Sequence, residues 1–189
     1  ENDAIVQCKT LVETIIRSRN LRLLMWRTVP TDSYFLGEKA AATQPTIIHL
    51  LVGKPNGLSD DEYERLLYIT RKEIEQTARR EQLPFHVASF SSRTIVYKGL
   101  VTPAALDKFY IDLQHPEYET ALAVFHQRFS TNTFPKWELA HPFRMLAHNG
   151  EINTLRKNMN SMRARQATMA SERFGSDFFS DIPVFDEGG

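Results

Sequence analysis

An α+β layered domain is the fold class this sequence predicts, and three observations carry it. Short apolar runs bounded by turn residues read as strands that pair with near neighbours in sequence. Two long helical periodicities, near residues 3–18 and 60–81, stand apart from those runs instead of alternating with them regularly. No Gly-x-Gly-x-x-Gly stretch follows any of the strands, so a doubly wound nucleotide-binding sheet is not indicated. The 189 residues suit one domain, with 42% hydrophobic and 24% charged content, ordinary values for a globular chain. Lys+Arg and Asp+Glu both number 23, a balance that argues against a dedicated nucleic-acid surface. No apolar run reaches the ~20 residues of a membrane helix. Residues 1–20 carry charges throughout, unlike a signal peptide. The single cysteine, Cys8, permits no internal disulfide and suits a reducing compartment.

Each element has a local reason. Asp3 caps a first helix to about Ser18, with Ile5, Cys8, Leu11, Val12 and Ile15 on one face. Leu21 to Arg27 reads as a strand, and Pro30-Thr31-Asp32-Ser33 as a turn. Gly37 and Pro45 bracket a connector with a short helical turn at 38–42. Thr46 to Val52 is apolar enough for a strand buried on both faces, ended by Gly53-Lys54-Pro55-Asn56-Gly57. Ser59 and Glu62 form a capping box that opens a helix to about Glu81, with Tyr63, Leu67, Thr70, Ile74 and Ala78 on one stripe. Phe85–Phe90 and Arg93–Lys98 read as a hairpin around Ser91-Ser92. Pro103 starts a short helix to Tyr110. Residues 119–129 hold Ala121-Leu122-Ala123-Val124-Phe125, another buried strand. Residues 130–142, with Pro135 and Pro142, are an irregular loop, and Phe143 to His148 a short strand into Asn149-Gly150. Asn153 caps a helix from Thr154 to about Met169 with Leu155, Met159 and Met162 facing inward. Residues 171–189 are loop.

The chemistry-bearing residues concentrate between His126 and Asn158. Arg128 follows a predicted strand, and an Arg can grip a carboxylate with two parallel hydrogen bonds. It can equally pair with an internal carboxylate, and residue types alone leave the two readings even. Thr131 and Asn132 add polar groups at the strand end. Asn149-Gly150 has the composition of a hairpin turn, yet Glu151, Ile152 and a helix follow it, not a second strand. In the functional reading, the Asn amide and the Gly N–H donate to an oxyanion, and Gly lets a carbonyl approach the backbone. His126, His141 and His148 lie 15 and 7 residues apart, fit no usual ligand pattern, and read as structural histidines. Cys8, on the inner face of the first helix, reads as a buried inert thiol. Trp26 and Trp137 read as anchors. Arg156, Lys157, Arg163 and Arg165 form a basic helix face, read as solvated or facing an acidic neighbour.

The run RFSTNTFPKWELAHPFRMLAHNGEINTLRKN closely resembles the amidotransferase region of the glutamate synthase large-subunit family. WRTVPTD with LGEKA at 26–40 and SDDEYERLLYITRKEIE at 59–75 resemble the same family, so the likeness covers nearly the whole chain. More loosely, the pattern is shared by class II glutamine amidotransferases, the N-terminal-nucleophile hydrolases. The resemblance implies a four-layered αββα sandwich, incomplete at its N-terminus, with residues 1–189 forming part of one glutamine amidotransferase domain. It implies release of ammonia from glutamine for reductive amination of 2-oxoglutarate to glutamate, in nitrogen metabolism and amino-acid biosynthesis, with ammonia channelled internally. It assigns Arg128 to the glutamine α-carboxylate, Asn149 and Gly150 to the oxyanion hole, and Thr131 and Asn132 to the pocket wall.

In the family the nucleophile is a mature N-terminal Cys whose own α-amino group acts as base. Here Glu1 stands first and Gly188-Gly189 last, which we read as an internal piece lacking that Cys and therefore inactive alone. An Asp in a Ser-Asp-Ser segment that binds the substrate amino group is expected just beyond the chain. The implied partners are glutamine, the rest of the synthase chain, and a small subunit or ferredoxin, with no nucleic acid and no membrane. FMN and an iron–sulfur cluster are expected in the rest of the enzyme and no cofactor in this piece. The implied location is the cytoplasm, or the plastid in a plant or alga. The alternative function is a non-catalytic module that binds an amino acid or a partner through Arg128, and RNA binding through residues 156–165 ranks last.

Overall fold

The structure, a computed structural model, describes residues 2–129, 134–141, 150 and 154–174. Helix α1 spans Asn2–Ser18 and is followed by strand β1, Arg22–Thr28. Helix α2 is Glu38–Ala42, strand β2 is Ile48–Gly53, and helix α3 is Asp60–Arg80. Helix α4 is Leu106–Phe109 and helix α5 is Leu155–Gln166. Among the described residues the sheet has two strands, with β1 antiparallel to β2 and Leu23 facing Val52. The register slips between Leu23 and Met25, so Leu24 is a bulge residue that bends the strand. The mixed α+β class is found as expected.

Helices α1 and α3 pack on each other, and α1 packs on β1. Val12, Ile15 and Ile16 of α1 meet Tyr63, Leu67 and Ile74 of α3 in the first core, with Trp26, Leu50 and Val52 of the strands against them. Every residue of the predicted α3 stripe is buried. The capping box forms as the sequence specifies: Ser59 Oγ accepts from Glu62 N at 3.3 Å, and Glu62 Oε2 accepts from Ser59 N at 2.7 Å. Tyr63 keeps its hydroxyl satisfied by donating to Val52 O at 2.9 Å. Both long helices end in the same device. Leu21 N reaches Ile16 O and Leu83 N reaches Ala78 O, with Asn20 and Gln82 each at φ 55°. That is the Schellman stop, which normally uses Gly at the left-handed position.

A second core forms around Phe109, fully buried, with Val29, Ala40, Tyr110 and Trp137. Its backbone stitches are Asp32 N to Phe109 O at 2.9 Å, Ile111 N to Pro30 O at 3.3 Å, and an isolated bridge between Thr31 and Tyr110. Trp137 lies over Gly99: a Cβ added there would sit 2.4 Å from ring atom Cζ3.

Four expectations are corrected. The 85–98 hairpin is absent, because serine hydroxyls take the backbone groups that a ladder needs. Ser91 Oγ accepts from Arg93 N at 3.0 Å, Ser89 Oγ accepts from Val96 N at 3.1 Å, and Ser91 and Ser92 both donate to the Glu64 carboxylate. Residues 119–129 form no strand and are not buried: Leu122 is 79% and Phe125 84% exposed. Strand β2 is not buried on both faces, since Leu51 is exposed beside Leu24 and Met25 of β1. Helix α5 has no buried residue, and its predicted inward Leu155 is half exposed. The predicted strand at 143–148, the Asn153 cap and the tail beyond 174 lie outside the described residues.

Two stability changes follow. Gln82→Gly relieves a left-handed residue and raises unfolding stability by ~0.5–1 kcal/mol. Gly99→Ala drives a methyl into Trp137 and lowers stability by roughly 1–3 kcal/mol, the usual cost of overpacking. Urea unfolding of the full chain followed by tryptophan fluorescence measures both.

Candidate functional site

Trp137 anchors the candidate segment to the core. Its indole N–H donates to Ala40 O and Thr43 Oγ1, both at 3.3 Å, and its ring packs on Phe109 with centroids 5.6 Å apart. The next residue is held from below, where the buried Lys98 ammonium donates to Glu138 O at 2.6 Å. Lys98 O in turn accepts from the Tyr110 hydroxyl at 2.7 Å. Burial pushes that phenol up to about 12. The sequence marked Trp137 as an anchor, and it is one.

Arg128 is exposed, near the end of the unpaired stretch 119–129. Gly150 is also exposed, and among the described residues no heavy atom comes within 4 Å of the place where a Cβ would project. Thr131, Asn132 and Asn149 lie outside the described residues, as does His148. His126 and His141 come together with ring centroids 4.9 Å apart. Among the described residues no group of three or more His, Cys, Asp or Glu is placed to hold a metal ion.

Cys8 lies within α1, and burial raises its thiol above the ordinary value. It also lacks a free α-amino group to take its proton, so it is poorly suited to attack an amide. The basic residues Arg156, Lys157, Arg163 and Arg165 are exposed on α5. Arg163 and Arg165 stand in its last turn, where cations favour the helix dipole.

One charged group escaped sequence reasoning altogether. Arg27 on β1 grips Asp112 with a two-pronged bond, Nη1 to Oδ2 at 2.7 Å and Nη2 to Oδ1 at 2.6 Å. The two residues are 85 positions apart, so no local pattern announces the pair. His49 of β2 sits 3.4 Å from the same guanidinium, and Tyr97 stacks edge-on against both His49 and Tyr110. The Arg27 bond holds the Asp112 carboxyl below the usual carboxylate range. Burial, then the Arg27 charge, holds His49 below its ordinary value. This cluster braces the strand pair against the second core.

Comparison with known proteins completes the description of the segment. The family model described as "Glutamine amidotransferases class-II" matches residues 1–189. The chain is 44% identical over 187 residues to "Glutamate synthase [NADPH] large chain" of Azospirillum brasilense, covering 98% of this chain and 12% of that protein. It is 46% identical over 179 residues to the Bacillus subtilis large chain of the same name, covering 94% of this chain and 12% of that one. It is 49% identical over 158 residues to "Ferredoxin-dependent glutamate synthase 2" of Synechocystis, covering 84% and 10%. The chain thus spans about one-tenth of the length of the curated relatives it matches.

The Arg27–Asp112–His49 cluster makes stability fall with acid in two steps. His49 binds its proton more weakly when folded than when unfolded, so stability drops as pH falls below about 6.5. Asp112 adds stability that is full above about pH 4 and is lost as pH falls through its lower folded value. His49→Gln removes part of the first slope and Asp112→Asn part of the second, read from urea midpoints across pH 3–8. Unchanged slopes in both variants refute the assignment.

Proposed function

We propose that this chain, which belongs to the class-II glutamine amidotransferases, is part of the glutaminase domain of a glutamate synthase. The domain hydrolyses glutamine to glutamate and ammonia, and the ammonia serves reductive amination of 2-oxoglutarate. The carrying observation is the family match over all 189 residues, with the Arg128-to-Gly150 segment inside it. The exposure of Gly150 is compatible with the reading, since an oxyanion-hole glycine must let the reacting carbonyl approach. The match favours this enzyme reading over a non-catalytic binding module.

In the proposed site the Arg128 guanidinium holds the α-carboxylate of glutamine through charge-assisted bonds. Thr131 and Asn132 line the pocket. A thiolate attacks the side-chain amide carbon, and the Asn149 amide and Gly150 N–H donate to the oxygen that becomes negative. The C–N bond then breaks, ammonia leaves, and water releases glutamate from the thioester. The raised thiol of Cys8 and its place within α1 support a reading in which that thiolate belongs to another cysteine, and on that reading the 189 residues alone are expected not to hydrolyse glutamine.

We further propose the four-layered αββα sandwich as the complete fold. The described layers are the α1/α3 pair and the β1–β2 sheet. The exposed Leu24, Met25 and Leu51 are the surface a second sheet would cover. An iron–sulfur cluster needs several Cys thiolates, and this chain has one Cys. We therefore assign the cluster and FMN to the rest of the synthase, with the small subunit or ferredoxin, and no step here passes through them. Among the described residues no helix is long and apolar enough to cross a membrane. The proposed location is the cytoplasm, or the plastid in a photosynthetic eukaryote.

In the intact enzyme, Arg128→Ala raises the KM for glutamine roughly 10- to 100-fold, the loss of a charge-assisted bond worth about 1.5–3 kcal/mol. Asn149→Ala lowers kcat ~100-fold or more with KM little changed. Steady-state glutaminase assays measure both. Wild-type kinetics in Asn149→Ala would falsify the oxyanion assignment, and robust turnover by the 189-residue chain would place the nucleophile inside it.

A further inference from the structure

We propose that Tyr97, Lys98 and Gly99 act as a clasp that positions Arg128 for the α-carboxylate of glutamine, an inference that rests on the functional reading above. Arg128 lies in a stretch, residues 119–128, that is exposed throughout. The chain is held on either side of that stretch, and both holds lead to the same three residues. On the near side the ring of Tyr118 meets that of Tyr97 edge-on, with centroids 6.0 Å apart. On the far side Trp137 closes over Gly99, and Lys98 Nζ donates to Glu138 O at 2.6 Å. The stretch also touches that far turn at His126, whose ring centroid lies 4.9 Å from that of His141.

Phe109 and Tyr110 prop the clasp. Phe109 packs on Trp137 and Tyr110 on Tyr97, with centroids 5.6 and 4.9 Å apart. The Tyr110 hydroxyl donates to Lys98 O at 2.7 Å. Residues 97–99 are thus fixed to the second core, and the chain on both sides of Arg128 is fixed to them. An exposed loop loses conformational entropy when its guanidinium holds a ligand, and fixing its ends beforehand lowers that cost. Closing the loop on neighbouring residues also limits how far its middle can wander. The clasp touches no reacting atom, so its three members are positioning residues that act on binding more than on the chemical step.

The test uses kinetics and proteolysis together. In the intact enzyme, Tyr118→Ala and Lys98→Met each raise the KM for glutamine roughly 3- to 10-fold with kcat little changed, the split expected when placement for binding is lost. Tyr118→Phe keeps the ring contact and the wild-type KM. In an Arg128→Ala background neither Tyr118→Ala nor Lys98→Met raises KM further, because the group they position is gone. Trypsin digestion of the 189-residue chain reads the restraint without activity: cleavage after Arg128 is several-fold faster in Tyr118→Ala and Lys98→Met than in the wild type, and unchanged in Tyr118→Phe. Tyr118 is exposed, so its alanine variant keeps the fold even where loss of the buried Lys98 does not. A wild-type KM in Tyr118→Ala overturns the clasp, and so do full additivity with Arg128→Ala or wild-type cleavage rates. A wild-type KM in Arg128→Ala alone overturns the functional reading instead, and the trypsin rates still judge the restraint itself.

Discussion

The contact between Gly99 and Trp137 is the constraint on which the candidate segment depends. A Cβ at position 99 would overlap the indole, so the tryptophan can seat only over a residue without a side chain. Once seated, its N–H reaches Ala40 and Thr43 and its ring reaches Phe109. Lys98, next to the glycine, takes the carbonyl of Glu138. Three stretches of chain, around Ala40, Gly99 and Phe109, are thus closed around one ring. A buried indole supplies both a large apolar surface and one polar atom to satisfy, and this site meets both needs.

The fold was legible where its cause is local. Ser59 and Glu62 announce α3, the apolar stripe from Tyr63 to Ala78 shows its buried face, and Pro103 marks the short turn that enters α4. Asn20 and Gln82 end the long helices without the glycine that would have signalled the stop. Expectations failed where the cause is distant. The 93–98 run alternates like a strand, but the hydroxyls of Ser89 and Ser91 accept from backbone N–H groups, and Glu64, almost 30 residues earlier, captures the turn through Ser91 and Ser92. The fork between Arg27 and Asp112 has no periodic signature, since each residue looks like an ordinary surface charge until the chain folds.

The site was legible as composition more than as geometry. An Arg, an Asn-Gly pair and a nearby Trp are the chemical tools that the proposed reading uses, and the family match covers the segment that holds them. The histidine spacing fits no usual ligand pattern, and folding brings His126 into ring contact with His141.

Apolar exposure and the demands of catalysis lead to the same requirement. Leu122, Val124 and Phe125 are in water here, as are Leu24 and Leu51, although a chain gains by covering such side chains. Arg128 and Gly150 are in water too. A guanidinium in bulk solvent gains little from a carboxylate, and oxyanion donors are worth most where water is excluded and the local dielectric is low. Whatever surface buries Leu122 and Phe125 lies against the stretch that carries Arg128. In the proposed site, covering the apolar face and drying Arg128 are then one event, so the strength of carboxylate binding proposed for Arg128 depends on what covers Leu122 and Phe125 as much as on the guanidinium itself.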